Sequence, residues 1–173
     1  SRSLGRNQIT DADLRDLAQL PKLKELDLTF SSVTDDGLVP LKDLKRLTKL
    51  ALRATAITDE GLAHLVELTQ LEALDLGRTK VTNEGLEHIS RLAELTDLTL
   101  ADTLVSDEGL VHIKKLKKLT RLRLQGSDVS DEGITHVKEL KGLKELNIGG
   151  TKITDDGLVH LRDLNELAVL TLN

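Results

Sequence analysis

The chain has 173 residues, of which 39% are hydrophobic and 31% are charged, and its net charge is −5. This length suits one domain with a buried core, and no apolar run approaches the roughly 20 residues that a membrane span needs. The absence of Cys excludes a disulfide scaffold, a thiolate zinc site and a cysteine nucleophile, and the interspersed charges argue against a general nucleic-acid binder.

A fixed period of 24 residues organises the chain. The pattern Leu-x-x-Leu-x-Leu, which ends in Ile148 in its last full copy, begins at Leu23, Leu47, Leu71, Leu95, Leu119 and Leu143, and again at Leu167. Upstream, the same frame holds Leu4, Ile9, Leu14, Leu17 and Leu20. The sequence therefore predicts a single domain over residues 1–173, with about seven repeats and partial turns at 1–22 and 167–173.

Each unit is predicted to contain one short strand and one short helix. The Leu-x-Leu alternation sends the intervening residue to the opposite face of the strand. A helix is predicted to begin near Thr58, because Asp59 and Glu60 after a Thr cap favour the positive end of a helix dipole. An apolar stripe should face inward at Leu62, Leu65 and Leu68. Such a unit cannot bury its own apolar face, so neighbouring units must stack.

The unit reads L-x-x-L-x-L-x-x-T-x-[IV]-[TS]-D-[DE]-G-L-x-x-[LI]-x-x-L-x-x and resembles the leucine-rich repeat family over essentially the whole chain. Its T-D-E-G-L segment is most similar to repeats of F-box-type adaptors and of many bacterial members. The resemblance implies a right-handed α/β solenoid, or horseshoe, with a parallel sheet on the concave face and short helices on the convex face.

Two further columns are predicted to serve the scaffold. Where the family has a buried Asn or Cys after the strand, side chains that can satisfy backbone groups stand at Asn7, Ser31, Thr55, Thr79, Thr103, Ser127 and Thr151. Glycines at 37, 61, 85, 109, 133 and 157 are expected to let the helix approach the sheet, because a side chain there would push the helix away. Acidic pairs such as Asp35 with Asp36 are interpreted as charges at helix N-termini.

Residues on the strand face vary in size and charge from unit to unit, whereas the scaffold columns hardly change. Since this face is the usual partner site in the family, the predicted partner-binding residues are Glu25, Asp27, Phe30, Lys49, Arg53, Asp75, Arg78, Asp97, Asp102, Arg121, Arg123 and Glu145. An ordinary solvated sheet face is the alternative. Phe30, the only aromatic residue, is either an anchor for a partner or a lid over the N-terminal core.

Two other columns receive structural interpretations. All five histidines share one column, at His64, His88, His112, His136 and His160. A half-buried structural role is predicted rather than metal binding, because no carboxylate recurs beside them. A basic cluster is predicted to form a solvated or acid-facing edge rather than a nucleic-acid site, and it consists of Lys114, Lys115, Lys117, Lys118, Arg121, Arg123, Lys138, Lys141 and Lys144.

The predicted function is non-enzymatic recognition of a protein or peptide on the concave face, with no cofactor, no metal and no membrane contact. The sequence offers no nucleophile with a base and no metal cluster, which disfavours an enzyme. The alternative is a structural or assembly element, or an engineered repeat scaffold, that pairs end to end through Leu167, Leu170 and Leu172. Because neither end resembles a solenoid cap, a fragment of a longer repeat protein is expected.

Overall fold

Eight short parallel strands form one sheet in chain order. The computed structural model describes residues 2–3, 9–17 and 19–173. The strands are β1 (Arg2–Ser3), β2 (Glu25–Asp27), β3 (Lys49–Ala51), β4 (Ala73–Asp75), β5 (Asp97–Thr99), β6 (Arg121–Arg123), β7 (Glu145–Asn147) and β8 (Val169–Thr171). Paired residues lie 24 positions apart, as in Leu74 with Leu98. The period of the sequence is therefore the register of the sheet.

A short helix follows each of the first seven strands. The helices are α1 (Asp11–Leu17), α2 (Asp35–Leu38), α3 (Asp59–Ala63), α4 (Asn83–Ile89), α5 (Asp107–Ile113), α6 (Asp131–Val137) and α7 (Asp155–Leu158). Segments of 3-10 helix extend α2 and α7 over Val39–Asp43 and Val159–Leu161. None of the helices in the described residues has the length and apolar character needed to cross a membrane.

The predicted helix start at Thr58 is confirmed. Thr58 has an extended backbone, and its hydroxyl accepts the N–H of Glu60 at 3.3 Å, while α3 begins at the next residue. Thr82 and Ser130 cap their helices in the same way. These caps satisfy amide groups that the first helical turn leaves without partners.

Strand and helix leucines of all units meet in one continuous apolar core. The predicted stripe is confirmed, because Leu62, Leu65 and Leu68 are each at most 1% exposed. The middle residue of the strand is buried from β2 to β7, as at Leu98. The predicted fold is also confirmed: an α/β solenoid with one parallel sheet on one side and short helices on the other.

The hydroxyl column closes the turns after β3 to β7, as predicted. The Thr55 hydroxyl donates to the carbonyl of Leu52 at 2.6 Å, and the equivalent bond recurs at Thr79, Thr103, Ser127 and Thr151. Ser31 differs, because its buried hydroxyl has no hydrogen-bond partner. Asn7 lies outside the described residues, as does Leu4 from the upstream frame.

The aspartate that begins each of five helices has a role that the sequence analysis missed. The carboxylate of Asp35 accepts the N–H of Thr58 at 2.8 Å and its hydroxyl at 2.7 Å, so the side chain of one repeat holds the helix cap of the next. Asp11, Asp59, Asp107 and Asp131 make the same pair of bonds to the caps that follow them. We call this recurring contact the inter-repeat staple. Charge at the helix N-terminus is therefore only part of the role of these carboxylates.

Asn83 replaces the staple aspartate in α4 and keeps the contact through different chemistry. Its Oδ1 accepts the N–H of Ser106 at 2.8 Å, and its Nδ2 donates to the Ser106 hydroxyl at 2.9 Å. Glu108 then accepts from both Asn83 Nδ2 and the Ser106 hydroxyl, at 2.8 and 3.0 Å. The amide of Asn83 donates to the hydroxyl, whereas an aspartate would accept from it. The Ser106 hydroxyl therefore donates its hydrogen bond to the Glu108 carboxylate instead.

The staple also corrects the reason predicted for the glycine column. A Cβ built at Gly61 would overlap the Asp35 carboxylate, and one at Gly133 would overlap the Asp107 carboxylate. Equivalent contacts with the staple residue recur at Gly37, Gly85, Gly109 and Gly157. The glycines are required because a carboxylate or amide from the preceding repeat lies against them, and contact between the helix and the sheet is not the main reason.

Candidate protein-binding surface on the strand face

The strand face consists of two columns of side chains that flank the buried middle residue of each strand. The first column holds Glu25, Lys49, Ala73, Asp97, Arg121, Glu145 and Val169, and the second holds Asp27, Ala51, Asp75, Thr99, Arg123, Asn147 and Thr171. Residues on either side of the middle position point to the same face because strand side chains alternate. Eight of the twelve predicted partner-binding residues lie in these columns.

Asp97 is the centre of an ion-pair network on this face. Its carboxylate accepts from Arg121 Nε at 2.8 Å and from Arg123 Nη1 at 3.0 Å, and Arg123 also lies 3.7 Å from Glu145. The hydrogen bond to Asp97 raises the pKa of Arg121 above its usual value. The two arginines that the sequence analysis offered to a partner are thus held in place by neighbouring strands.

Two further predicted residue pairs contact each other. Lys49 Nζ lies 2.9 Å from the Glu25 carboxylate, and this hydrogen bond lowers the pKa of Glu25. Arg78 Nε donates to Asp102 at 3.2 Å. All four side chains are substantially exposed, so water screens these pairs and they contribute little to stability. They fix the side chains in defined positions across the face.

Polar residues of the second column close the turn after the strand. Asp75 Oδ1 accepts the N–H of Gly77 at 2.8 Å, and Asn147 Oδ1 accepts the N–H of Gly149 at 3.1 Å. Asp27 makes the same bond to Thr29 at 3.0 Å. The turn needs only an acceptor oxygen, so an amide serves as well as a carboxylate.

Three predicted residues lie in the turn itself and have left-handed backbones. The φ angles of Phe30, Arg78 and Asp102 are 59°, 56° and 54°. Phe30 is 56% exposed, and its role as an anchor or a lid stays a prediction. The remaining predicted residue, Arg53, follows β3 on the strand face, and its guanidinium lies over Gly77.

A groove of about 400 Å³ opens in the strand face around two small residues that the sequence analysis did not single out. Ala51 and Ala73 form its floor, and charged side chains from β2 to β6 form its walls. Its lining includes Glu25, Asp27, Lys49, Asp75, Asp97, Thr99 and Arg123. The only alanines in the two columns mark this position in the sequence, but only the register places them side by side.

The histidine column is half-buried at all five positions, as predicted. Within the described part of the chain, no three His, Asp or Glu side chains converge in a way that could hold a metal ion.

The predicted basic cluster does not form one surface. Arg121 and Arg123 lie in β6 on the strand face, whereas Lys114 and Lys115 follow α5 on the helix side. Two other lysines of the helix side pair with acids, as in the 2.6 Å contact between Lys118 and Glu94. The solenoid separates these residues because strand and helix lie on opposite sides of each repeat.

Comparison with known proteins agrees with this architecture. The Leucine Rich repeat family model matches residues 19–42, 67–90, 115–140 and 143–161, which is more than half of the chain. The search of curated proteins found no match to this chain.

Several solved structures share the fold. An internalin, InlF, from Listeria monocytogenes is 21% identical, with 98% of this chain and 53% of that one covered and a TM-score of 0.71. Internalin C2 from the same organism is 25% identical, with 99% and 79% covered and a TM-score of 0.72. A leucine-rich repeat protein from Leptospira interrogans is 24% identical, with 89% of this chain and 38% of that one covered and a TM-score of 0.65. This chain thus spans about half the length of InlF.

The fold shared with these proteins is typical of protein–protein interaction modules, and the comparisons indicate no enzymatic family. The family match and the 24-residue register of the strands lead to one conclusion: the chain belongs to the leucine-rich repeat family.

Proposed function

We propose that this chain is a non-enzymatic recognition module that binds a protein or peptide segment on its strand face. The observation that carries the proposal is the groove around Ala51 and Ala73, which interrupts an otherwise crowded row of charged side chains. Its volume of about 400 Å³ lies at the lower end of the roughly 300–1,000 Å³ typical of ligand sites, which suits a few side chains of an extended segment. Six of the twelve predicted residues line the groove, namely Glu25, Asp27, Lys49, Asp75, Asp97 and Arg123. The other six are proposed to contact the partner outside it.

The state of the wall residues supports binding over catalysis. Asp97 is held by two arginines, and Glu25 is held by Lys49. Such paired side chains are ordered before a partner arrives, which reduces the entropy lost on binding. Carboxylates engaged in this way are poorly placed to act as an acid and a base.

The alternative function is not favoured. Assembly through Leu167, Leu170 and Leu172 finds no support in the family or in its structural relatives, although Leu170 and Leu172 are 40% and 53% exposed. The specific similarity to repeats of F-box-type adaptors and bacterial proteins remains part of the proposal, on the basis of the T-D-E-G-L segment.

Peptides selected from a random library against the full chain would test the proposed surface. We expect that Ala73→Arg, which fills the groove, weakens most selected peptides at least about tenfold, or roughly 1.4 kcal/mol. The matched control is Ala93→Arg, the same substitution at an exposed position in the loop after α4, and it should change affinity less than about twofold. Affinities would be measured by isothermal titration calorimetry.

The opposite pattern would contradict the proposal. If selected peptides respond to Ala93→Arg and not to Ala73→Arg, the binding surface lies on the helix side. Circular dichroism melting of both variants would show that the fold is intact.

A further inference from the structure

We infer that the groove around Ala51 and Ala73 takes a basic side chain, Arg or Lys, of the partner segment, with its charge at Asp75. The inference rests on the proposed function and deepens it, because it names the chemistry of the anchoring residue.

The space for this side chain comes from the register of β2 to β5. Ala51 lies between Asp27 and Asp75 in the second column, and Ala73 lies between Lys49 and Asp97 in the first. Neighbouring strands are about 4.8 Å apart, so the two alanines leave one opening that is bounded on all sides by longer side chains. The opening has an apolar floor of methyl groups and a charged wall.

The charge of the groove is negative once its internal pairs are considered. Four acidic and two basic residues line it. The carboxylate of Asp97 is neutralised by Arg121 and Arg123, and that of Glu25 by Lys49. Negative charge therefore remains at Asp75, next to Ala51 in the second column.

Asp75 is the group that a partner cation would reach. Its Oδ1 accepts the Gly77 N–H, and it forms no ion pair with any residue in the described part of the chain. Arg53, whose guanidinium lies over Gly77, is not within ion-pair distance of it. The half-buried carboxylate thus retains Oδ2 as an acceptor in the groove wall.

Only a basic side chain matches both the floor and the charge. An apolar side chain would pack on the alanines but would remove water from Asp75 without replacing its hydrogen bonds. An acidic side chain would be repelled. Lys and Arg have an aliphatic stem that packs on apolar surface and a charged end that donates hydrogen bonds.

A double-mutant cycle with selected peptides tests this inference. In each peptide that Ala73→Arg displaces, one basic residue is replaced at a time by norleucine, which keeps the apolar stem and removes the charge. We expect one such replacement to weaken binding about tenfold or more in the parent chain and less than about threefold in Asp75→Asn. Asp75→Asn should fold normally, because Asn147 already makes the same turn bond in β7. Asp163→Asn, at an exposed acid on the helix side, is the matched control and should leave the tenfold effect unchanged.

The outcomes separate the inference from the proposed function. Peptides that Ala73→Arg displaces but that lose nothing on replacement of their basic residues would overturn the inference and leave strand-face binding intact. A norleucine effect of equal size in the parent chain and in Asp75→Asn would also overturn it, because the charge would then act elsewhere. If Ala73→Arg displaces no selected peptide, the proposed function itself fails.

Discussion

At the scale of single residues, the turns that follow β2 to β7 each contain one residue with a left-handed backbone. These six turn residues have φ angles between 54° and 69°, and only Gly126 and Gly150 among them are glycines. A side chain in this conformation costs about 1 kcal/mol, because its Cβ crowds the following carbonyl oxygen. Phe30, Ala54 and Arg78 therefore lower the stability of the fold relative to glycine at the same positions.

Gly150 offers a direct measurement of this cost. A Cβ at Gly150 would approach no atom closer than 3.7 Å, so Gly150→Ala tests the backbone alone, and we expect it to lower the free energy of unfolding by about 1 kcal/mol. Gly142→Ala is the control, since its Cβ has equal space and its φ is not positive, and it should be neutral or stabilising by about 0.5 kcal/mol. Equal effects in urea denaturation would show that the turn tolerates Ala without strain.

At the scale of helices and strands, the inter-repeat staple and the glycine column form one device. The aspartate at the start of one helix holds the cap of the next, and the glycine in that next helix leaves room for the carboxylate. In the last staple, the hydrogen bonds from the Thr154 hydroxyl and then from its amide lower the pKa of Asp131. Units are joined by specific polar contacts on the helix side as well as by strand pairing.

Because the staple carboxylate lies against the glycine, the effect of Gly61→Ala on the free energy of unfolding should depend on whether Asp35 is present. Gly61→Ala should cost about 2 kcal/mol or more in the parent chain, because the new methyl group displaces the Asp35 carboxylate from Thr58. In an Asp35→Ala background the carboxylate is absent. The cost of Gly61→Ala should then fall to about 1 kcal/mol or less, because the better helix propensity of Ala offsets the remaining contact with Ile57 Cγ2 at 3.2 Å. The measurement is the free energy of unfolding of the four chains. Additive costs would mean that the two positions act independently.

At the scale of the whole molecule, each unit is stabilised by the unit before it and the unit after it. Leu98 in β5 lies between Leu74 and Leu122 and is fully buried, whereas Leu170 in β8 pairs with Leu146 on one side and is 40% exposed. In a stacked array, stability comes from these interfaces between neighbours.

Equivalent leucines should therefore differ in their contribution. We expect Leu98→Ala to cost about 2–5 kcal/mol, because it opens a cavity between two packed units. Leu170→Ala should cost less than about 1 kcal/mol, since much of its side chain already contacts water. Thermal and urea unfolding of the two variants would measure the difference, and similar losses would contradict a stack stabilised by neighbours.

The sequence by itself determined the repeat, the strand and helix of each unit, the buried leucines and the hydroxyl column. These follow from local periodicity, since a 24-residue period fixes the register once the units stack. Only the tertiary structure revealed the staple between Asp35 and Thr58, the reason for the glycines and the groove around Ala51 and Ala73. Those features join residues 22 to 26 positions apart, and the side chain that each residue meets depends on the packing of one repeat against the next.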